Sequence, residues 1–503
     1  MHTFVDPLYR AQKLFTHKIS MVCRETRLTY AETWSRCRRL AAALTKLGVQ
    51  PGDRVAILAA NSHQYLEVYM AVPAAGFVVV PLNTRHAEPE LRYALTDSGT
   101  RVLITDHDPG ALRETVERVI RLPDEYEKLL VDAPEAELGV GVTEASLAGL
   151  FYTGGTTGAS KGVMLSHQNL MANTTNWLMV TRQEPEDIYL IMAPLFHAAG
   201  STSVLATVWT GGCQVVLPAF DPAAALDLIA AESVSATLGV PTMIAAIVEE
   251  QLARPRRVES LRALSHGGSP IATEVVRRAH IAFPNAELIH LYGATETAPL
   301  ATGLRHEEKL VDGELARSCG QAVVGVDVRV FDPQGHEMPP GDISEVVVRG
   351  PNVMQGYWNK PEQTTEALRN GWYYTGDLGY MNAQGYLFLV DRAKDMIISG
   401  GENVYSTEVE EALYKHPAVL EAAVFGVPDA RWGEAVHAVV VPRPQHEVDA
   451  VTLIAFCRQH IAGYKVPKQI DLQNEPLPKS GPGKVLKREL RAPFWEGHTT
   501  QVN

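Results

Sequence analysis

Short runs of Val, Ile and Leu alternate with helix-length amphipathic segments through the first three hundred residues, and this rhythm most restricts the fold. Arg54-Val55-Ala56-Ile57-Leu58, Val78-Val79-Val80 and Val102-Leu103-Ile104 read as buried strands. The segment before the first of them reads as a helix. Thr29 and Glu32 have capping-box spacing, Trp34, Cys37, Leu40, Ala41, Leu44 and Leu47 form an apolar stripe, and Gly48 is a C-terminal stop. Helix-then-strand units recur from about Asp221 to Leu291. Such alternation predicts mainly parallel sheets covered by helices, an α/β fold. From about Gly320 the pattern changes to period two, in Val326–Phe331 and Glu345–Arg349, which predicts a small antiparallel β region.

The chain has 503 residues, more than one core usually serves. A boundary is expected at the charged segment near Arg392, giving a large N-terminal domain over 1–392 and a smaller C-terminal α/β domain over 393–503. Net charge is −13 with no strong basic block, which argues against nucleic acid as a partner. Cys23, Cys37, Cys213, Cys319 and Cys457 are scattered and odd in number, which fits a reducing compartment rather than a disulfide framework or a zinc site. No signal peptide is visible. The longest apolar stretch, near Tyr69 to Leu82, is broken by Pro73, Gly76 and Pro81 and is too short for a membrane span. The terminal Gln501-Val502-Asn503 is no peroxisomal address. A cytoplasmic protein without an integral membrane segment is expected.

Four segments carry chemistry. Tyr152-Thr153-Gly154-Gly155-Thr156-Thr157-Gly158-Ala159-Ser160-Lys161-Gly162 follows an apolar run from Leu147 to Phe151. Its glycines free backbone N–H groups for an anion, its threonines add hydroxyls and Lys161 adds charge, as binding a polyphosphate requires. It is not a Walker A loop, because Ser160 precedes Lys161 and Gly162 follows it. Tyr292-Gly293-Ala294-Thr295-Glu296 follows a second apolar run, Leu288 to Leu291, and Glu296 offers a hard oxygen to a cation. Asp377, in Tyr374-Thr375-Gly376-Asp377, suits two vicinal hydroxyls. Pro478-Lys479-Ser480-Gly481-Pro482-Gly483-Lys484 places a lysine in a glycine-rich loop. Taken singly, each has an ordinary alternative: a surface loop, a solvated carboxylate, a turn-stabilising Asp, a surface lysine.

Together and in this order the motifs resemble the adenylate-forming superfamily of acyl-CoA synthetases, luciferases and peptide-synthetase adenylation domains. In overall look the chain is most similar to fatty-acid–CoA ligases. The matches run from about Leu28 to Lys484, and three positions depart from the family pattern: Gly154 where Ser is usual, Ser160 where Pro is usual, and Pro482 where Thr is common.

The resemblance implies roles. Thr153, Gly154, Gly155, Thr156, Thr157, Gly158 and Lys161 would cradle the phosphates of ATP, and Gly267, Gly268, Tyr292 and Gly293 would border the nucleotide. Thr295 would reach the α-phosphate, Glu296 would hold Mg²⁺, and Asp377 with Arg392 would bind the ribose. Lys484 would contact carboxylate and phosphate during adenylation, and Lys394 would be the hinge of a mobile C-terminal domain. His197 would lie between acyl site and thiol tunnel, a core histidine being the even alternative. Gly400, Gly401, Glu402, Trp432 and Tyr464 would meet CoA, although ordinary aromatic packing serves equally for Trp432 and Tyr464. Ala198, Ala199, Gly200 and Ala298 would line an acyl pocket. No Asp marks an amino-acid ammonium site and no Arg stands ready for a second carboxylate. The resulting expectation is an acyl-CoA synthetase using ATP, Mg²⁺ and CoA, with a medium- or long-chain fatty acid as substrate. An aryl or alicyclic acid is the runner-up. An adenylate donor to a carrier protein and a non-catalytic binding protein of the same fold remain as alternatives. Oligomeric state is left open, a homo-oligomer included.

Overall fold

The computed structural model describes residues 3–153, 160–392, 395–429, 431–443, 446–480 and 485–496. Two large sheets fill the N-terminal part. In the seven-stranded sheet, Leu147–Thr153, Val78–Pro81, Arg54–Leu58, Thr100–Thr105 and Arg118–Arg121 lie parallel in that order. Lys161–Ser166 and Gly356–Tyr357 add antiparallel at the other edge. These strands are buried, so their apolar runs are nearly continuous, as parallel sheets require.

The second sheet has fourteen strands among the described residues. Its parallel half includes Ile188–Ile191, Ala236–Gly239, Ala263–Gly267 and Glu287–Tyr292. The β region after Gly320 is antiparallel, as the period-two pattern predicts. It is not a separate body. Thr302–Leu304 pairs antiparallel with Glu287–Tyr292 and then with Ser318–Ala322, which carries the sheet on without a break. Alternating residues reveal a half-exposed strand but not the edge on which it docks.

The helix over Tyr30–Lys46 starts with the expected cap, Thr29 N–H donating to Glu32 Oε2 at 2.7 Å. The apolar stretch near Tyr69 resolves into a helix, His63–Ala74, buried from Gln64 onward, and the strand Val78–Pro81. No helix among the described residues is long and apolar enough to cross a membrane. The C-terminal stretch packs its own core, including Val409, Leu413, Val424, Val436, Leu453 and Ile470, around a five-stranded sheet.

One buried histidine links this packing to pH. His167 Nδ1 accepts from Phe4 N–H at 3.2 Å, with the two rings edge to face. Burial pulls its pKa down to about 4. Between about 4 and the ordinary value near 6.5, the unfolded chain binds a proton that the folded chain refuses. Stability is therefore present above about 6.5 and lost as pH falls through about 4. His290, buried and depressed to about 4, adds in the same sense. Urea-denaturation midpoints are expected to fall from pH 7 to pH 4, and His167→Gln is expected to flatten that slope. An unchanged slope would remove His167 from the account.

Candidate active site

The strands Ala263–Gly267 and Glu287–Tyr292 lie parallel with Gly267 opposite Leu291, so their carboxyl ends open side by side. Ligand groups gather at such ends. They open into a cavity of about 2130 Å³ between the N-terminal sheets and the C-terminal stretch. Thr153, Lys161, Gly267, Gly268, Tyr292, Gly293, Thr295, Glu296, Asp377 and Arg392 all line it. Two glycines are required by close approach. A Cβ on Gly267 would stand 2.1 Å from Leu291 O, and one on Gly293 would stand 1.8 Å from Pro299 O.

Two polar groups face this space. In the first, Asp377 and Arg392 are direct partners on neighbouring antiparallel strands. Arg392 Nε lies 3.1 Å from Asp377 Oδ1, and Tyr292 OH donates to Asp377 Oδ2 at 2.8 Å. Asp377 holds the Arg392 pKa above its ordinary value, while burial and Asp377 push the Tyr292 phenol well up. The result is a fixed carboxylate with two fixed donors. In the second, Tyr357 OH donates to Glu296 Oε1 at 2.9 Å, and Lys161 Nζ stands 4.7 Å from the Tyr357 ring centroid. Burial, then Glu296, raises the Tyr357 pKa, so the phenol remains a donor. A cation and a carboxylate thus flank one aromatic ring. Of the expected site residues, Glu296 has the hard-oxygen chemistry that suits a divalent cation.

His197 lines the same cavity as the N-cap of the helix Ala198–Thr210, its Nδ1 accepting from Ala199 N–H at 3.3 Å. Ala198, Ala199, Phe196, Trp177, Leu238 and Leu300 form apolar wall around it. Two expected pocket residues do not reach this wall. Gly200 packs against the backbone of Pro194, where a Cβ would meet its carbonyl oxygen at 2.0 Å. Ala298 is fully buried in a left-handed turn after Thr295–Thr297. Neighbourhood in sequence places them near the pocket, but the turn geometry aims them elsewhere.

The expected CoA-facing residues are not brought to this cavity. Gly400 N–H donates to Trp432 O at 2.8 Å, Trp432 and Tyr464 are exposed, and none of Gly400, Gly401, Glu402, Trp432 and Tyr464 lines it. Gly154, Gly155, Thr156, Thr157, Gly158, Lys394 and Lys484 lie outside the described residues. The flanks of Lys484 do line the cavity, through Lys479, Ser480, Val485 and Leu486. Arg85 Nη1 reaches across to Ser480 O at 3.2 Å.

Sequence reasoning missed Tyr357, Arg85 and a buried triad, His266, His290 and Glu307, of which the last two line the cavity. His266 and His290 are cross-strand partners whose rings stack 4.6 Å apart. Glu307 accepts from His266 Nε2, and His290 Nδ1 donates to Ser318 O at 3.2 Å. Burial would raise the Glu307 pKa, but the facing histidines bring it below the usual carboxylate range. These three offer ligand atoms within 4.8 Å of one another. Hydrogen bonds link them to one another and to Ser318, and His266 Nδ1 is buried with no partner among the described residues. The only signal in the sequence was the position of each histidine beside a recognised segment.

The cavity at these strand ends is thus bordered by the Asp377 carboxylate with its two donors and by Lys161 and Glu296 on either side of Tyr357, polar groups suited to a nucleotide. The AMP-binding enzyme family matches residues 8–358, and its C-terminal domain matches residues 408–484. Feruloyl-CoA synthase from Amycolatopsis sp. is 43% identical over 494 residues, 97% of this chain and 98% of that protein. The long-chain-fatty-acid–CoA ligase of Bacillus subtilis (strain 168) is 33% identical, covering 96% of this chain and 93% of that one. Among solved structures, ATP-bound MatB from Rhodopseudomonas palustris superposes with a TM-score of 0.90 at 32% identity, over 99% of this chain and 100% of that one. The chain belongs to the adenylate-forming superfamily of AMP-binding enzymes. Within it, the protein is an AMP-forming acid–CoA ligase.

Proposed function

We propose that this ligase activates an aromatic acid of the hydroxycinnamate type. The observation that carries this reading is the 43% identity, along nearly the whole chain, to a feruloyl-CoA synthase. The pocket wall agrees in character, with the aromatic rings of Trp177 and Phe196 beside Leu238 and Leu300. The fatty-acid expectation drawn from sequence becomes the second reading, favoured by the 33% relative.

The residues divide the work as follows. Asp377 accepts from the ribose hydroxyls, with Arg392 and Tyr292 fixing its orientation. Thr153, Lys161 and the loop 154–158 hold the phosphates, and Thr295 reaches the α-phosphate. A divalent cation such as Mg²⁺ would sit at Glu296 and neutralise phosphate charge. The acid's carboxylate oxygen attacks the α-phosphorus, the bond to the bridging oxygen breaks, and pyrophosphate leaves. Lys484 offsets the charge gathered there. The C-terminal domain, from residue 393 onward, then turns about Lys394. That motion brings Gly400, Gly401, Glu402, Trp432 and Tyr464 toward the thiol path, with His197 beside the acyl carbonyl. The CoA thiolate attacks that carbonyl and AMP leaves. Exclusion of water during the exchange protects the mixed anhydride.

The test is a panel of acids with Mg-ATP and CoA, read by mass as acyl-CoA. Ferulate and related hydroxycinnamates are expected to exceed dodecanoate in kcat/KM by about 100-fold, the discrimination that a few methylenes of pocket mismatch supply. A preference for dodecanoate overturns the aryl reading. AMP without acyl-CoA points to a carrier protein as acceptor. No pyrophosphate with any acid points to a binding protein.

A further inference from the structure

The chain on either side of residues 481–484 is fastened at its base. Lys479 and Val485 form a β-bridge, and Leu486 N–H donates to Pro478 O at 2.8 Å. Lys479 is paired with Glu421. The fastening then continues through a residue to which no role has been given. Lys487, at the start of the helix Lys487–Trp495, has its Nζ 2.7 Å from Glu410 Oε1 and donates to Ser406 Oγ at 2.7 Å. Both charged side chains are mostly covered, Lys487 being 19% and Glu410 14% exposed.

The network does not stop at Ser406. Its N–H donates to Asp391 Oδ2 at 2.6 Å, and Thr407 Oγ1 donates to Val390 O. Asp391 belongs to the strand Leu387–Arg392, which is laddered to the strand of Asp377, with Asp377 opposite Arg392 and Leu378 opposite Asp391. A continuous set of contacts therefore runs from the carboxylate assigned to the ribose, across residues 393–394, to the base of the segment bearing Lys484. A covered ion pair adds little net stability against apolar packing, so stability alone is a weak reason for one here. Position is a better reason, because a lysine held by two acceptors fixes the backbone that carries it.

We propose that Lys487, clamped by Glu410 and Ser406, is a positioning residue for the adenylation half-reaction. It registers the Lys484-bearing segment against the Asp391–Arg392 strand end. This rests on the reading above, in which Lys484 acts in adenylation and is withdrawn before thioester formation. Asp391 and Ser406 lie on opposite sides of residues 393–394, and the link between them is made with Lys479, Ser480, Val485 and Leu486 on the cavity wall. Its loss bears on one half-reaction only.

The experiment compares Lys487→Met, Lys487→Arg, Glu410→Gln and Lys484→Ala with the parent enzyme. ATP–pyrophosphate exchange reads adenylation, thioester formation from supplied acyl-adenylate reads the second step, and thermal unfolding reads folding. Lys487→Met and Glu410→Gln are expected to lose about 100-fold in exchange, the loss that misplacing a reacting group brings. Thioester formation is expected to stay within about twofold of the parent, since uniform binding and folding are untouched. Lys487→Arg is expected to recover most of the exchange. Equal losses in both half-reactions, unchanged exchange, or unfolding of both Lys487→Met and Glu410→Gln would overturn the proposal and leave Lys487 a structural residue. Lys484→Ala separates the causes. If it fails to split the half-reactions, the underlying reading is at fault. If it splits them and Lys487→Met does not, only the positioning role falls.

Discussion

Lys484→Ala is expected to lose about 10²–10³-fold in acyl-adenylate formation, as removal of one preorganised charge or donor at a developing anion does. Negative charge concentrates on the α-phosphoryl group as the carboxylate attacks and pyrophosphate leaves, and this step depends on positioning and charge. Lys161 and Glu296 line the cavity from the N-terminal part of the chain. The segment flanking Lys484 approaches from the C-terminal stretch, with Arg85 Nη1 bonded to Ser480 O at 3.2 Å. Thioester formation from supplied acyl-adenylate is expected to change little, because that step transfers no phosphoryl group. Equal loss in both steps, measured as exchange and as thioester yield, would refute the division of labour between the two orientations.

The largest expected stability effect lies away from the cavity. Glu67 is completely buried on the helix His63–Ala74. It accepts from Arg36 Nε at 2.6 Å, Arg36 Nη2 at 3.1 Å and Tyr126 OH at 2.8 Å. Arg36 also bonds Glu127 at 2.9 Å. Burial opposes the Arg36 charge, but these two carboxylates hold its pKa well above the ordinary value. Glu67→Ala leaves that guanidinium half-compensated and the buried phenol without its acceptor. Breaking a buried pair from one side costs about 3–5 kcal/mol. Urea denaturation is expected to report a loss of that size, with kcat of the folded fraction unchanged. Glu67→Gln, which keeps an acceptor for Tyr126, is expected to lose less. A loss below about 1 kcal/mol, the range of an exposed pair, would mean that water reaches the site.

Much of the site was legible before any coordinates. The two nucleotide motifs each follow an apolar run, and both runs are strands, Leu147–Thr153 and Glu287–Tyr292, whose last residues line the cavity. The unreadable parts have one cause. Tyr357 sits on a two-residue strand with no periodicity to mark it, and it matters because Gly356–Tyr357 adds to the edge strand that carries Lys161. Arg85 and Ser480 are 395 residues apart in sequence. His266 and His290 stack because two strands pair in that register, which spacing along the chain does not encode. Gly200 and Ala298 had suitable size and neighbourhood but wrong direction, a property of turn geometry.

By itself, the sequence determined the α/β class, the order of the elements and the kind of chemistry. Side-chain period, capping residues and glycine-rich turns act within a few residues of one another, so they survive in a linear reading. Only the tertiary structure decided which carboxylate is oriented by which phenol, that the β region extends the parallel sheet, and that Lys487 meets Glu410 and Ser406 beside the strand end at Asp391. Those facts are distances between residues remote in the chain, and they exist only once packing and strand pairing have chosen a register.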